Sequence, residues 1–206
     1  VFCNDLKGIQ LPENYPGVQV FGWEARGPAL DRITTNDDEI VSLAVEYLCR
    51  AGVKRAVIIW QRNMVQIPRH PRIACFLERM NELGIQAAPM PFDREEPDFS
   101  GRMKELISSG DDRIGFFGFN ALCGVKLCCA LESLGLLRKY SPHSVLVCDK
   151  SLLLNGFFPR PAMIDLNLPA MAERAVNLLI GRLGKPEYPG ILMLQSPRLL
   201  LSQEQL

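Results

Sequence analysis

The sequence carries no excess of either charge: Lys plus Arg and Asp plus Glu each number 23 in 206 residues. A neutral chain raises no positive field that could hold nucleic acid through counterion release, so any contact with DNA would belong to a different segment. Histidine is scarce as well, with only 2 residues, and no CxxC pair is present. That leaves no zinc site to expect, since such sites draw on closely spaced Cys and His. The 7 cysteines are an odd number and lie mostly inside apolar runs. They read as small core residues of a protein kept in a reducing compartment, which points to the cytoplasm. No apolar run reaches the roughly 18 residues that a membrane-spanning helix needs, and no signal-peptide pattern opens the chain.

Catalytic signatures are missing too. There is no GxxxxGK[ST] phosphate loop, no GxGxxG behind a strand, and no GxSxG elbow; Gly115, Gly118 and Gly124 have the wrong spacing for a dinucleotide fingerprint. His70 lies between Arg69 and Pro71, and His143 precedes an apolar run, so both read as surface or capping residues rather than general bases. No catalytic residue, metal or cofactor is expected from these patterns.

What is present is an alternation of short apolar runs and amphipathic stretches, the mark of parallel sheets flanked by helices. Val18 to Phe21 reads as a strand, with Trp23 just past its end, and Arg26 to Arg32 reads as irregular. Asn36 and Glu39 form a capping-box pattern for a helix that places Ile40, Leu43, Ala44, Tyr47, Leu48 and Ala51 inward and stops at Gly52. Ala56 to Trp60 follows as a buried strand. Next come a helix carrying Ile73, Phe76, Leu77 and Met80, a weak strand at Gln86 to Met90, and a helix capped by Asp98 or Ser100. Apolar residues around Phe116 lead into a small-residue helix from Asn120 to Leu134. A short linker then precedes the strand ending at Asp149. Beyond it, Ala162 to Asp165 reads as a strand, and Pro169 opens a helix with Ala172, Ala175, Val176, Leu179 and Leu183 inward. Ile191 to Leu194 and Leu199 to Leu201 close the chain as strands.

Four polar or aromatic residues, Trp23, Arg72, Asn120 and Asp149, fall just past strand ends or at the helix starts that follow. Ligands of open parallel sheets bind at the strand carboxyl ends, and this mixture suits a neutral, hydroxyl-rich ligand: an aromatic face for its apolar side, directional donors and acceptors for its hydroxyls. Each residue also has a plainer role. Asp149 with Lys150 is compatible with a solvated turn, and Asn120 with a simple helix cap.

These residues carry a resemblance to the lactose-repressor and galactose-repressor family of bacterial transcription regulators, whose effector-binding part has the two-lobed fold of periplasmic sugar-binding proteins. The matching stretches are NDDEIVSLAVEYLCRAGVKRAVII, RIACF, FNALCGVKLCCALESLGL, SVLVCD and the helix from Pro169 to Leu179. The resemblance implies a two-lobed α/β fold, with residues 1–35 as part of an incomplete amino-terminal lobe, 36–150 as the carboxy-terminal lobe and 151–206 as a return segment completing the first. It implies a homodimer whose small-molecule effector, sugar-like or nucleobase-like, sits between the lobes and changes DNA binding by a headpiece outside this chain. Arg72, Asn120, Asp149 and Trp23 would contact the effector. Departures are visible: Gly22 and Ala121 stand where many members have Asp, and Cys75 replaces a Gly, which puts the usual effector in question. Two other readings are a periplasmic-type solute-binding protein and a small-molecule enzyme with Asp149 as base.

Overall fold

The computed structural model describes residues 2–3, 17–21, 30–62, 70–110, 113–185 and 188–202. It divides into two compact units, Val1–Asn36 with Leu166–Pro197, and Asp37–Asp165 with Arg198–Leu206.

The first unit is built on a four-stranded parallel sheet of β1 (Phe2–Cys3), β2 (Val18–Val20), β3 (Asp31–Thr35) and β9 (Leu192–Gln195), in that order. Its core joins Val18, Val20 and Ile33 to Met171 and Ala175 of helix α6 (Leu168–Gly184), with Phe21, Leu178, Leu179 and Met193 packed around them. The burying face of α6 differs from the expected one. Ala175 and Leu179 do turn inward, but Val176 and Leu183 are 50% and 64% exposed, and Ala172 is exposed as well. Apolar residues cover more than half of this helix's circumference, so periodicity alone does not select the face.

A second surprise is β3, whose first two residues, Asp31 and Arg32, fall in the stretch read as irregular. It starts on Asp31, buried against Arg182 of α6; their side chains form an ion pair with 2% and 3% exposure. Arg182 also donates to the carbonyls of Tyr188 and Pro189, and Asp31 accepts from the Ile191 amide at 2.8 Å. The pair is therefore hydrogen-bonded beyond itself, the condition under which a buried charge pair is tolerated, and it joins β3, α6 and the approach to β9.

The second unit holds a six-stranded sheet in the order β10-β8-β7-β6-β4-β5: β4 (Arg55–Gln61), β5 (Gln86–Phe92), β6 (Ile114–Gly118), β7 (Val145–Cys148), β8 (Ala162–Asp165) and β10 (Arg198–Leu200). All pairs are parallel except β8 with β10. Residues 151–165 and 198–206 thus fall in this unit, with 162–165 and 198–200 in its sheet, where the sequence reading gives 151–206 to the first lobe. The apolar AMID run pairs with β7 and becomes an interior strand, and β10 caps the edge.

Helices α1 (Asp37–Arg50), α2 (Pro71–Glu82), α3 (Phe99–Ser108), α4 (Ala121–Ser133) and α5 (Leu137–Ser144) flank this sheet. α1, α2 and α3 occupy the stretches expected to be helical, with Ile40, Ala44, Leu48, Phe76, Met80, Phe99 and Met103 fully buried or nearly so. α5 does not follow the expectation of a linker: it is two turns long, contains Pro142, and is fixed by buried Leu137 and Tyr140 rather than by any repeating pattern.

α4 sits unusually close to the sheet. A Cβ on Gly124 would fall 2.3 Å from Val147 Cγ1, and one on Gly118 would meet the Gly124 backbone at 3.1 Å. Two glycines facing each other let the helix settle onto β6 and β7, which sets where its first turn stands over the strand ends. Gly181 is the opposite case, with nothing within 4 Å of an added Cβ and an ordinary helical backbone. Gly124→Ala is expected to lower the unfolding free energy by about 1–3 kcal/mol, and Gly181→Ala to raise it by about 0.5–1 kcal/mol. Urea unfolding of the two variants checks both signs.

Candidate functional site at the strand carboxyl ends

In the six-stranded sheet β4 is flanked by β5 on one side and β6 on the other, so the chain reverses its direction of travel across the sheet between β4 and β6. At such a switch point the loops beyond neighbouring strands part and leave a crevice. The residues at these strand ends are set by local geometry. α2 begins after β4 with Pro71 in its first turn and is capped by His70, whose Nδ1 accepts from the Arg72 amide at 3.2 Å. Asn120 caps α4, its side-chain oxygen accepting from the Cys123 amide at 3.0 Å. Asp149 follows β7 with φ at 74°, a left-handed conformation that Asp and Asn tolerate better than most residues.

Arg72 lies at the centre. It is 7% exposed, and from α2 its guanidinium reaches three other elements. Nε and Nη2 donate to Asp37 Oδ1 at the start of α1, at 3.1 and 2.7 Å. Nη1 donates to the Phe119 carbonyl beyond β6 at 2.9 Å and to Cys148 Sγ at the end of β7 at 3.4 Å. The guanidinium carbon also lies 4.6 Å from the centre of the Phe119 ring, and the His70 ring meets the same ring edge-on at 4.7 Å.

Electrostatics around this hub divide the titratable groups. Burial, with a smaller contribution from the Arg72 charge, lowers His70 from 6.5 to about 4, so the imidazole is neutral near pH 7 and serves as a cap. Burial pushes the Cys148 thiol up to about 12 in spite of Arg72 beside it, and the Cys123 thiol up to about 11. Both are protonated thiols, not nucleophiles. Burial also raises the Asp149 carboxyl above its ordinary range, against the pull of Arg72 and of a hydrogen bond from the Ala121 amide in the first turn of α4.

Of the residues singled out from sequence, the structure brings together Arg72, Asn120 and Asp149, while Trp23 lies outside the described residues. Sequence reasoning missed Asp37, Phe119 and Cys148, and took His70 for a cap without its place beside Arg72. Only Asp37 left a signal, as one of three acidic residues in the first turn of α1, where a carboxylate is ordinarily a helix-dipole partner. Among the described residues no group of His, Cys, Asp and Glu is arranged to hold a metal ion, and no helix is long and apolar enough to cross a membrane.

No protein-family model and no curated protein matches this sequence. Among solved structures, a LacI family transcriptional regulator from Arthrobacter sp. FB24 superposes with a TM-score of 0.76 at 20% identity, covering 92% of this chain and 70% of that one. The same regulator in complex with lactose matches equally well, at a TM-score of 0.76. A LacI family regulator from Enterococcus faecium with bound ribose gives 0.73 at 19% identity, covering 91% and 69%. A periplasmic binding protein/LacI transcriptional regulator from Alkaliphilus metalliredigens QYMF, complexed with D-xylulofuranose, gives 0.71 at 16% identity, covering 97% and 73%. The fold is that of the periplasmic-binding-protein-like effector domains of LacI-family regulators.

The neutral, buried His70 ties the site to pH. Its pKa falls from 6.5 to about 4 on folding, so between those values the unfolded chain binds more protons, and stability declines as the pH is lowered through that window. His70→Asn keeps a capping oxygen without the titration. The stability difference between wild type and His70→Asn is expected to move against the wild type from pH 7 to pH 4. Urea midpoints measured at each pH check it, and a pH-independent difference would contradict it.

Proposed function

We propose that this chain is the effector-sensing domain of a bacterial transcriptional regulator, and that a small, hydroxyl-bearing molecule binds at the carboxyl ends of β6 and β7. The observation that carries the reading is the joining of Arg72, Asn120 and Asp149 around one switch point. It occurs in a fold whose solved examples include complexes with lactose and ribose. Signalling follows from differential affinity: an effector that favours one of two conformations shifts their populations and changes DNA binding by a separate headpiece. The net charge of zero supports leaving DNA contact to that headpiece.

Binding rather than turnover is the reading that the chemistry supports. The thiols at the site are held protonated and His70 is occupied as a cap. The protein acts as a homodimer in this reading. Support comes from an apolar surface at α4 and the 3-10 turn Leu152–Gly156 packed against it, where Leu122, Leu152, Leu153 and Phe158 are 51%, 84%, 62% and 65% exposed. Sedimentation at micromolar concentration is expected to give a dimer, which Leu153→Glu dissociates; a wild-type monomer would remove this part of the reading.

Arg72→Ala is a poor probe of binding, because it would leave Asp37 without its ion pair and unlatch four elements at once. Asp149→Asn preserves shape and tolerates the positive φ, so it isolates the site from the fold. A panel starting with lactose and ribose identifies a binding sugar. Asp149→Asn then weakens that sugar by at least about tenfold, on the order of 1.4 kcal/mol, with an unchanged melting temperature. Equal calorimetric affinity in the variant would overturn the site.

A further inference from the structure

The hydrogen bonds of Arg72 constrain the charge of the ligand. A guanidinium has five N–H donors. Here Nε and one Nη2 donor go to Asp37, and Nη1 goes to the Phe119 carbonyl and Cys148. All three guanidinium nitrogens are therefore engaged within the protein, in four hydrogen bonds, and the Asp37 carboxylate at 2.7 Å neutralises the charge. The other described cations nearby in sequence are also engaged. Lys150 pairs with Asp165 at 3.7 Å and Lys126 donates to the Glu96 carbonyl at 3.3 Å, while His70 is a neutral capping acceptor. What the cluster still offers is a carboxyl: Asp149, half-buried, touched by the Ala121 amide and by the Cys148 thiol at 4.0 Å.

Among the described residues, a carboxylate or phosphate arriving here would meet two acidic side chains, Asp37 and Asp149, and one cation already matched. It would lose its hydration without gaining a charge partner. An ammonium group would instead pair with Asp149 and relieve the burden of a buried carboxylate.

Resting on the reading of the strand-end cluster as a ligand site, we propose that this site selects an amine-bearing, hydroxyl-rich ligand of the amino-sugar class over the same sugar carrying a carboxylate or phosphate. Asp37 acts as the specificity-determining residue by keeping Arg72 from anions, and Asp149 receives the amine.

The test is a matched calorimetric series on the wild-type chain: glucose, glucosamine, glucuronate and glucose 6-phosphate, with the corresponding galactose and ribose sets. In at least one set the amino member is expected to bind at least about tenfold tighter than its acidic and phosphorylated counterparts. Asp149→Asn removes that preference. Asp37→Asn, which keeps an oxygen acceptor but releases the charge of Arg72, shifts selectivity toward the anionic members. An anionic member binding as tightly as the amino one, with its affinity reduced in Asn120→Ala, would overturn the charge assignment and leave the site in place. Absence of binding by every member would overturn the ligand-site reading and this inference with it.

Discussion

The contact on which the second unit's working face depends is the one Arg72 makes with its surroundings. One guanidinium, 7% exposed, links the first turn of α1 through Asp37, the end of β6 through Phe119 and the end of β7 through Cys148, while its own backbone amide is held by the His70 cap. A buried guanidinium is costly unless its charge is matched and its donors are used, and here both conditions are met. The consequence is preorganisation: the polar groups at these strand ends are held in place by the protein itself, so under the proposed function little ordering would remain to be done on binding.

Close packing completes that rim. Gly118 and Gly124 let α4 approach β6 and β7 until the first turn of the helix, capped by Asn120, presents the Ala121 amide to Asp149. The left-handed backbone at Asp149 turns the carboxyl back toward that helix end. A helix N-terminus favours an acceptor, while burial disfavours its charge, so the Asp149 carboxyl is pulled in opposite directions. In the first unit, the Asp31–Arg182 pair does the equivalent structural work, fixing β3 to α6 through a charge pair that no periodic pattern announces.

Much of the fold was legible in the sequence because hydrophobic periodicity and caps agree. Asp98, Asn120 and Gly52 mark helix ends where the structure has them, and the continuous run at Ala56–Trp60 is an interior parallel strand. The failures have physical causes. β3 begins with Asp31 and Arg32, and its charged start conceals a strand whose carboxylate is matched from 151 residues away in the chain. α5 contains Pro142 and only eight residues, too few for a pattern to emerge. β8 is an apolar run whose sheet cannot be assigned locally, because strand pairing is a tertiary choice. The candidate cluster was partly legible: positions past strand ends named Arg72, Asn120 and Asp149, but which groups occupy Arg72's donors depends on the junction of α1, α2, β6 and β7. That junction brings Asp37 and Cys148 against Arg72.

Side-chain and backbone nitrogen-resolved NMR during titration with the tightest sugar tests the preformed cradle most directly. The Arg72 Nε–H is predicted to exchange with solvent at least about tenfold more slowly than that of Arg50, whose side chain is 76% exposed. This protection should exist already in the free protein, and ligand shifts should gather on the Asn120 amide and the Asp149 backbone. Exchange of Arg72 as fast as that of Arg50, or shifts gathered elsewhere, would contradict the account.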